Sequence, residues 1–503
     1  MKDEERWSVL EGVERSRQRL SRETNAEKKA LLGQYLTPAR TAKFMAGMFT
    51  PTGRDHCRLL DAGAGIGTLS VAFIEQWLLA NPFFRHVDVD AFEVDTALHS
   101  ALSRNLNAFK EKGAVRATIY GDDFISVAAD TLRGGFFSRK LPEYSHAILN
   151  PPYKKIRNLS PHSTALRRVG IQTVNMYTAF VALALSLLSP YGQLVAIIPR
   201  SFCSGTYYRP FRKFLLAKAA IRRLHLFVSR SKAFKDDDVL QENVIIMLER
   251  HGIQREILIS TSTDDSLADL TEYAHPFERI VFPDDPECFI HIPTSTKQGI
   301  IEQSPEIKHA LADIGVSVST GPVVDFRLRE YLRDAPEPGS APLLYPCHLA
   351  DHRVDWPQPN GRKPNAILHT SATEKWLYPN GYYCIVRRFS SKEERRRVVA
   401  GVVEPKDFPG SRLLGFENHL NVFHSERKGL TREIAHGLCA FLNTTAFDES
   451  FRRFSGHTQV NVTDLRLMKY PQREALEALG KWVLQNGTPT QEELDAKLSR
   501  IGA

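Results

Sequence analysis

The tetrapeptide Asn150-Pro151-Pro152-Tyr153 sets an amide, two φ-fixing rings and an aromatic side chain in succession after the apolar run Ala147-Ile148-Leu149. Such a run reads as a buried strand, and the prolines would keep the loop at its end rigid. The Asn150 side-chain oxygen and the Pro151 carbonyl are two acceptors able to bind both N–H groups of a planar amine. That would draw the nitrogen lone pair out of conjugation and aim it at an electrophile, so the gain comes from positioning and electrostatics. Tyr153 would stack on the ring that carries the amine. Asn-Pro-Pro also serves as a plain loop terminator. Its place after an apolar strand, downstream of a glycine-rich strand end, favours chemistry.

That earlier strand end is Asp61-Ala62-Gly63-Ala64-Gly65-Ile66-Gly67, following Leu59-Leu60. Gly63, Gly65 and Gly67 would let the backbone turn tightly and approach a ligand with no Cβ in the way. About thirty residues on, Glu93 in Phe92-Glu93-Val94-Asp95 offers a carboxylate for two ribose hydroxyls, as in dinucleotide folds. A third strand end, Gly121-Asp122-Asp123-Phe124, offers the Asp123 carboxylate for an adenine amino group and the Phe124 ring to stack on it. Together these ends describe a methyl-transfer site. The first group would hold S-adenosylmethionine, and Asn150 to Tyr153 would hold the nitrogen that receives the methyl.

Strands alternating with helices must position these groups. Strands are expected at Arg58–Ala62, Val87–Phe92, Ala117–Tyr120, His146–Leu149, Leu194–Ile198, Leu224–Val228 and Asn243–Leu248, with helices such as Leu69–Leu79, Thr96–Lys110, Tyr177–Leu188 and Tyr208–Lys218 between them. This alternation predicts an α/β, doubly wound, mostly parallel Rossmann-like sheet with ligands at the carboxyl ends of its strands. The last two strands have no obvious helix between them and are expected to pair antiparallel at one edge. The alternation is expected to stop near Thr261–Asp265. Residues 310–470, rich in short β-like runs, aromatics and Pro/Gly turns, read as a separate domain. The expected division is a charged helical segment at 1–30, the α/β domain at 31–260, a connecting segment at 261–309, the second domain at 310–470 and a helical tail at 471–503.

The 503-residue chain is long enough for two or three cores. Its six cysteines are scattered with no Cys-x-x-Cys pair, which argues against a disulfide framework or a zinc site. No metal is expected: His162, His225 and His457 have no partners at ligand spacing and read as satisfied core or surface histidines. No signal peptide is evident, and the apolar region Met176–Pro199 is broken by Ser189-Pro190-Tyr191-Gly192, so a cytoplasmic protein without a membrane span is expected. From Pro151 to Lys235 the chain carries 15 Lys or Arg residues and no Asp or Glu, within a net charge of +8. Directly after the acceptor loop, that run would focus positive potential on the site mouth and suit a polyanion. Lys154, Lys155, Arg222 and Arg223 are its candidates for contact with a phosphate backbone.

These motifs and their order resemble those of the gamma-class N6-adenine DNA methyltransferases of bacterial type II restriction–modification systems, over most of the chain. The resemblance implies that Gly33-Gln34-Tyr35-Leu36-Thr37-Pro38 precedes the glycine segment to contact the methionine end of the cofactor, with Gln34, Tyr35, Thr37 and Pro38 as contacts. It implies cofactor roles for Asp61, Gly63, Gly65, Gly67, Glu93, Asp123 and Phe124, and catalytic roles for Asn150, Pro151, Pro152 and Tyr153. It also implies that Phe234, before the strand at Asn243–Leu248, packs with Tyr153 on a flipped base, and that 310–470 is a target-recognition domain. Ser455–Asn461 resembles a polar stretch of such domains. The implied partners are double-stranded DNA and a separate cognate restriction endonuclease, since the expected division leaves no spare domain to house a nuclease. The competing readings are a methyltransferase acting on a glutamine of a translation factor or on an RNA base, and a DNA-binding subunit with a degenerate site. Enzymes of the first kind typically lack the Gln34–Pro38 type of motif and the long C-terminal domain; the intact acceptor loop and Glu93 oppose the second.

Overall fold

The computed structural model describes residues 9–23, 36–51, 56–80, 86–109, 115–134, 140–227, 242–283, 285–293, 301, 304–358, 361–390, 394–454 and 459–501. Two compact units divide the chain, Met1–Thr296 and Lys297–Ala503.

The first unit is built on nine strands: β1 (His56–Ala62), β2 (His86–Phe92), β3 (Val115–Tyr120), β4 (Tyr144–Leu149), β5 (Leu188–Pro199), β6 (Ala219–Phe227), β7 (Asn243–Arg250), β8 (Ile257–Ser262) and β9 (Thr271–His275). Their order is β3-β2-β1-β4-β5-β7-β6-β8-β9. The first five run parallel. Alternate residues of the central strands enter two separate cores, as the period of two in a pleated strand requires. Leu60, Leu194, Ala196 and Ile246 face one core, while Leu59, Val195, Ile197 and Ile245 face the other. Helices α1 (Val9–Glu23), α2 (Ala39–Gly47), α3 (Thr68–Ala80) and α4 (Thr96–Asn107) bring side chains to the second core. Helices α5 (Phe124–Arg133), α6 (Pro161–Arg168), α7 (Met176–Leu187) and α8 (Arg209–Lys218) bring theirs to the first. The sheet is therefore doubly wound, and parallel strands covered on both faces explain the apolar runs in β4 and β5.

Two expectations about this unit change. β6 and β7 do pair antiparallel, but inside the sheet: β7 lies between β5 and β6, and β8 and β9 extend it further. The regular architecture consequently runs past Thr261–Asp265, and the segment read as a connection contributes a strand to the first unit. The charged start also belongs there. α1 buries Leu10 and Val13. Its Glu14 carboxylate accepts from the Ala39 N–H at 2.9 Å, and the Leu10 N–H donates to Glu75 at 3.1 Å.

The second unit holds a six-stranded and a five-stranded sheet of short strands, among them Tyr383–Arg387, Ala400–Val403, Ser340–Leu344 and Leu413–Phe416. The region after Pro471 is helical as expected, but it is packed into this unit rather than trailing from it. Helices α9 (Arg432–Leu442) and α10 (Arg473–Asn486) touch backbone to backbone. A Cβ at Gly437 would overlap the Leu476 carbonyl oxygen, and one at Gly480 would overlap that of Glu433. The short strand Tyr470–Pro471 pairs with Ile307–His309, which ties the start of this unit to the segment that leads into its last helices. No helix among the described residues is long and apolar enough to cross a membrane.

Candidate active site

The order β3-β2-β1-β4 sets four strand ends side by side, and the chain changes direction across the sheet between β1 and β4, where open α/β sheets form their crevice. A cavity of about 440 Å³ opens there, lined from these ends by Gly63 and Gly65, Glu93, Asp123 and Phe124, and Asn150 and Pro152. That volume lies within the range of small-molecule sites.

The glycine turn after β1 is shaped by left-handed backbone, with φ of +81°, +57° and +85° at Gly63, Gly65 and Gly67. Each glycine has a different neighbour. Gly63 faces the acceptor loop, where a Cβ would stand 3.8 Å from the Asn150 carbonyl oxygen. Gly65 lies under Leu36, whose Cδ2 would be 2.9 Å from a Cβ, so the Leu36–Pro38 segment passes over the turn. Gly67 packs against Leu102 of α4 instead and does not line the cavity. Asp61 is also displaced from its expected contact with the ligand. It is fully buried beneath the turn and accepts from the Ser70 hydroxyl at 2.6 Å, while its second oxygen has no partner among the described residues. Burial pushes its carboxyl up to about 7.

Glu93, only 4% exposed, lines the cavity. One oxygen accepts from the Gly65 N–H and the other from the Asp95 N–H, both at 2.8 Å. A carboxylate offers about four lone-pair sites, so acceptor capacity remains for a ligand. Burial raises its pKa against the pull of those two N–H groups. Asp123 caps α5, accepting from the Ser126 N–H at 2.9 Å, and pairs with His162 Nε2 at 3.1 Å. Burial works to raise the Asp123 carboxyl, but His162 and Ser126 outweigh it and hold it low; the same pairing raises His162. His162 was expected to be a bland histidine, yet it lines the cavity. The signal was positional, since Ser160-Pro161 starts a helix beside the acceptor loop. His225 does fit the bland reading: it is buried between Ser260 and Ser262. Phe180, Val94 and Asp122 also line the cavity without having been singled out. Phe124 lies 5.1 Å from Phe180 between ring centres, and Val94 is 54% exposed beside Glu93. An apolar lining that includes Phe124 and Phe180, with the Glu93 carboxylate and the Cβ-free backbone of Gly63 and Gly65, fits a nucleoside-bearing cofactor.

On the acceptor side, Asn150 Nδ2 donates to the Thr37 hydroxyl at 3.0 Å. The Tyr153 hydroxyl is 3.2 Å from both Asn150 Oδ1 and the Ile197 carbonyl oxygen. Pro151 is buried, and Tyr153 meets Tyr177 edge-on at 6.1 Å without lining the cavity. Lys154, Lys155 and Arg157 line its rim. Pro38 precedes α2, whereas Gln34, Tyr35 and Phe234 lie outside the described residues. The polar stretch at 455–461 is described only from Gln459, which bridges to Phe389, and Asn461, which caps the helix Val462–Leu467.

The basic run is the largest departure from expectation. Arg222 is held by Glu249 through two 3.1 Å bonds and by the Ile253 carbonyl at 2.9 Å. It and Arg223 lie on β6, beyond β5 and β7 from the acceptor loop and not on the cavity wall. Arg200 pairs with Glu242 at 2.7 Å, and Arg212 is fully buried, donating to the carbonyls of Phe202, Gly205 and Glu287. Acids from beyond the run thus stand against Arg200, Arg209, Arg212 and Arg222.

A sheet of this order, with the glycine turn, Glu93 and Asp123 on one side of the switch point and an Asn-Pro-Pro-Tyr loop on the other, is that of a Rossmann-like methyltransferase. A family model described as Eco57I restriction-modification methylase matches residues 93–234. The chain is 47% identical over 496 residues to the type II methyltransferase M.BsuBI of Bacillus subtilis, covering 98% of each. It is 38% identical over 462 residues to the type II methyltransferase M.PstI of Providencia stuartii, covering 90% of each. The cryo-EM structure of a DrdV–DNA complex is similar in fold, with a TM-score of 0.50 at 12% identity over 94% of this chain and 59% of that one. The chain belongs to the type II DNA methyltransferases of restriction–modification systems. Its cofactor is S-adenosyl-L-methionine.

Proposed function

We propose that this protein transfers a methyl group to N6 of an adenine flipped out of duplex DNA, within a defined short sequence, and so shields that sequence from a separate cognate endonuclease. The observation that carries the reading is the seating of Asn150 and Pro152 on the same cavity wall system as Gly63, Gly65 and Glu93. In this reading Glu93 accepts the cofactor's ribose hydroxyls, Phe124 and Phe180 flank its ring, and the Gly63–Gly65 turn gives it room. Thr37, Pro38, Gln34 and Tyr35 serve its methionine end. S-adenosylmethionine supplies an electrophilic methyl. Asn150 Oδ1 and the Pro151 carbonyl accept the two N–H groups of the adenine amine and hold its lone pair toward that methyl. Tyr153 and Phe234 stack on the base, which must leave the duplex to reach them. Lys154 and Lys155, with Arg157, touch phosphate at the rim, and residues 310–470 choose the sequence through contacts to base edges.

Mass spectrometry of digested duplex DNA after incubation with protein and cofactor tests the reading. N6-methyladenine at one short sequence is expected. Methyl on cytosine, or only on RNA or protein, would overturn it.

A further inference from the structure

An asparagine amide can be turned end for end with almost no change of shape, yet its two ends are chemical opposites. Only one orientation serves an incoming amine: Oδ1 accepts its N–H, whereas Nδ2 would set donor against donor. What fixes that orientation is therefore part of the catalyst. Thr37 Oγ1 lies 3.0 Å from Asn150 Nδ2 and accepts from it across 113 residues of chain. Thr37 is itself well placed to do so. It is buried, Leu36 before it lies across Gly65, and Pro38 after it accepts from the Ala42 N–H at 2.9 Å to open α2. The Ala39 N–H is bound to Glu14 at 2.9 Å, which holds the segment from α1.

We propose that Thr37 is the positioning residue of Asn150, turning the amide oxygen toward the substrate amine; this rests on the reading of Asn150 as the amine's acceptor. The bond from Tyr153 agrees in direction but is dispensable, because its hydroxyl has a second acceptor at equal distance, the Ile197 carbonyl oxygen at 3.2 Å. Tyr153 can move to Ile197 when the amine arrives, while the Thr37 bond stays in place. Accepting from Asn150 also leaves the Thr37 hydroxyl its own hydrogen to donate into the cavity it lines.

The test uses the full chain and a duplex oligonucleotide carrying its methylated sequence, found by sequencing DNA from a host that expresses the protein. Turnover, KM for DNA and calorimetric affinity for S-adenosylmethionine are measured for wild type, Thr37→Val, Thr37→Ser, Asn150→Asp and the Thr37→Val/Asn150→Asp pair. At saturating S-adenosylmethionine, Thr37→Val is expected to lower kcat about 10-fold or more, beyond whatever it costs in cofactor affinity, and Thr37→Ser to restore most of that kcat. In the Asn150→Asp background, Thr37→Val should cost nothing further, since a carboxylate presents an oxygen whichever way it is turned. Equal losses in both backgrounds would overturn the proposal. So would a Thr37→Val defect confined to cofactor affinity, which decides the matter alone if Asn150→Asp turns over too slowly to follow. If the wild type transfers no methyl to an adenine amine, the reading of Asn150 fails instead.

Discussion

The strand ends of β1 to β4 and the basic run that follows them, 151–235, were equally suggestive as sequence, and the fold treats them differently along the part described, 151–227. At the strand ends, neighbours in the sheet deliver distant motifs to one cavity, so each predicted group keeps its chemistry in view of a ligand. Along the run, charge alone gave no direction to the side chains. Some, such as Lys154 and Lys155, face solvent at the cavity rim, while Arg200, Arg212 and Arg222 turn inward or sideways to Glu242, to backbone carbonyls and to Glu249. A motif at a strand end inherits its direction from the sheet; a charge in a run does not.

The largest effect is expected at the strand ends. Asn150→Ala should lower turnover about 10²- to 10³-fold, the scale for losing one preorganised transition-state contact, with cofactor affinity largely kept. Glu93→Ala should instead weaken cofactor binding by roughly 1–3 kcal/mol, and calorimetry on both variants separates the two. Equal loss of affinity in the pair would dissolve the division between cofactor side and acceptor side.

Within the run, Arg212→Ala should destabilise the protein by about 3 kcal/mol, because three carbonyls lose a buried cationic donor. Denaturant melts would register this, while the salt dependence of DNA binding stays as in wild type. Changing Lys154, Lys155 and Arg157 together to Gln should do the reverse. Stability should hold, and the slope of log affinity against log salt should shrink by about 2–3 for target and scrambled duplexes alike. A salt slope that moved with Arg212 and not with the rim trio would mean that the run had been divided wrongly.

A separate effect, read in stability against pH, concerns Asp61, buried under the glycine turn. Its folded-state carboxyl is raised from the ordinary 3.8 to about 7 by burial, so the folded protein holds a proton that the unfolded chain has released. Its contribution to stability is complete below about pH 4 and is lost as pH rises toward 7, at up to roughly 1.4 kcal/mol per pH unit. Asp61→Asn should flatten that part of the profile of melting temperature against pH. An unchanged profile would show that the buried carboxyl stays ionised.

The sequence by itself determined the α/β alternation and a group at each of the four strand ends that meet at the cavity. Strand, glycine turn and helix are local matters, and the parallel crossover rule allows few arrangements once they are in order. Gly63, Glu93, Phe124 and Asn150 were legible for that reason. What only the tertiary structure decided is which groups are occupied by others. Residue types could not show that Asp61 serves Ser70, that Gly67 serves Leu102, that His162 answers Asp123 or that Arg222 is taken by Glu249. Nor could they place β7 between β5 and β6, or join the tail to the second unit through Gly437 and Gly480. Each of these rests on contact between segments far apart in the chain, and such pairing is chosen by packing and by the need of every buried polar group for a partner.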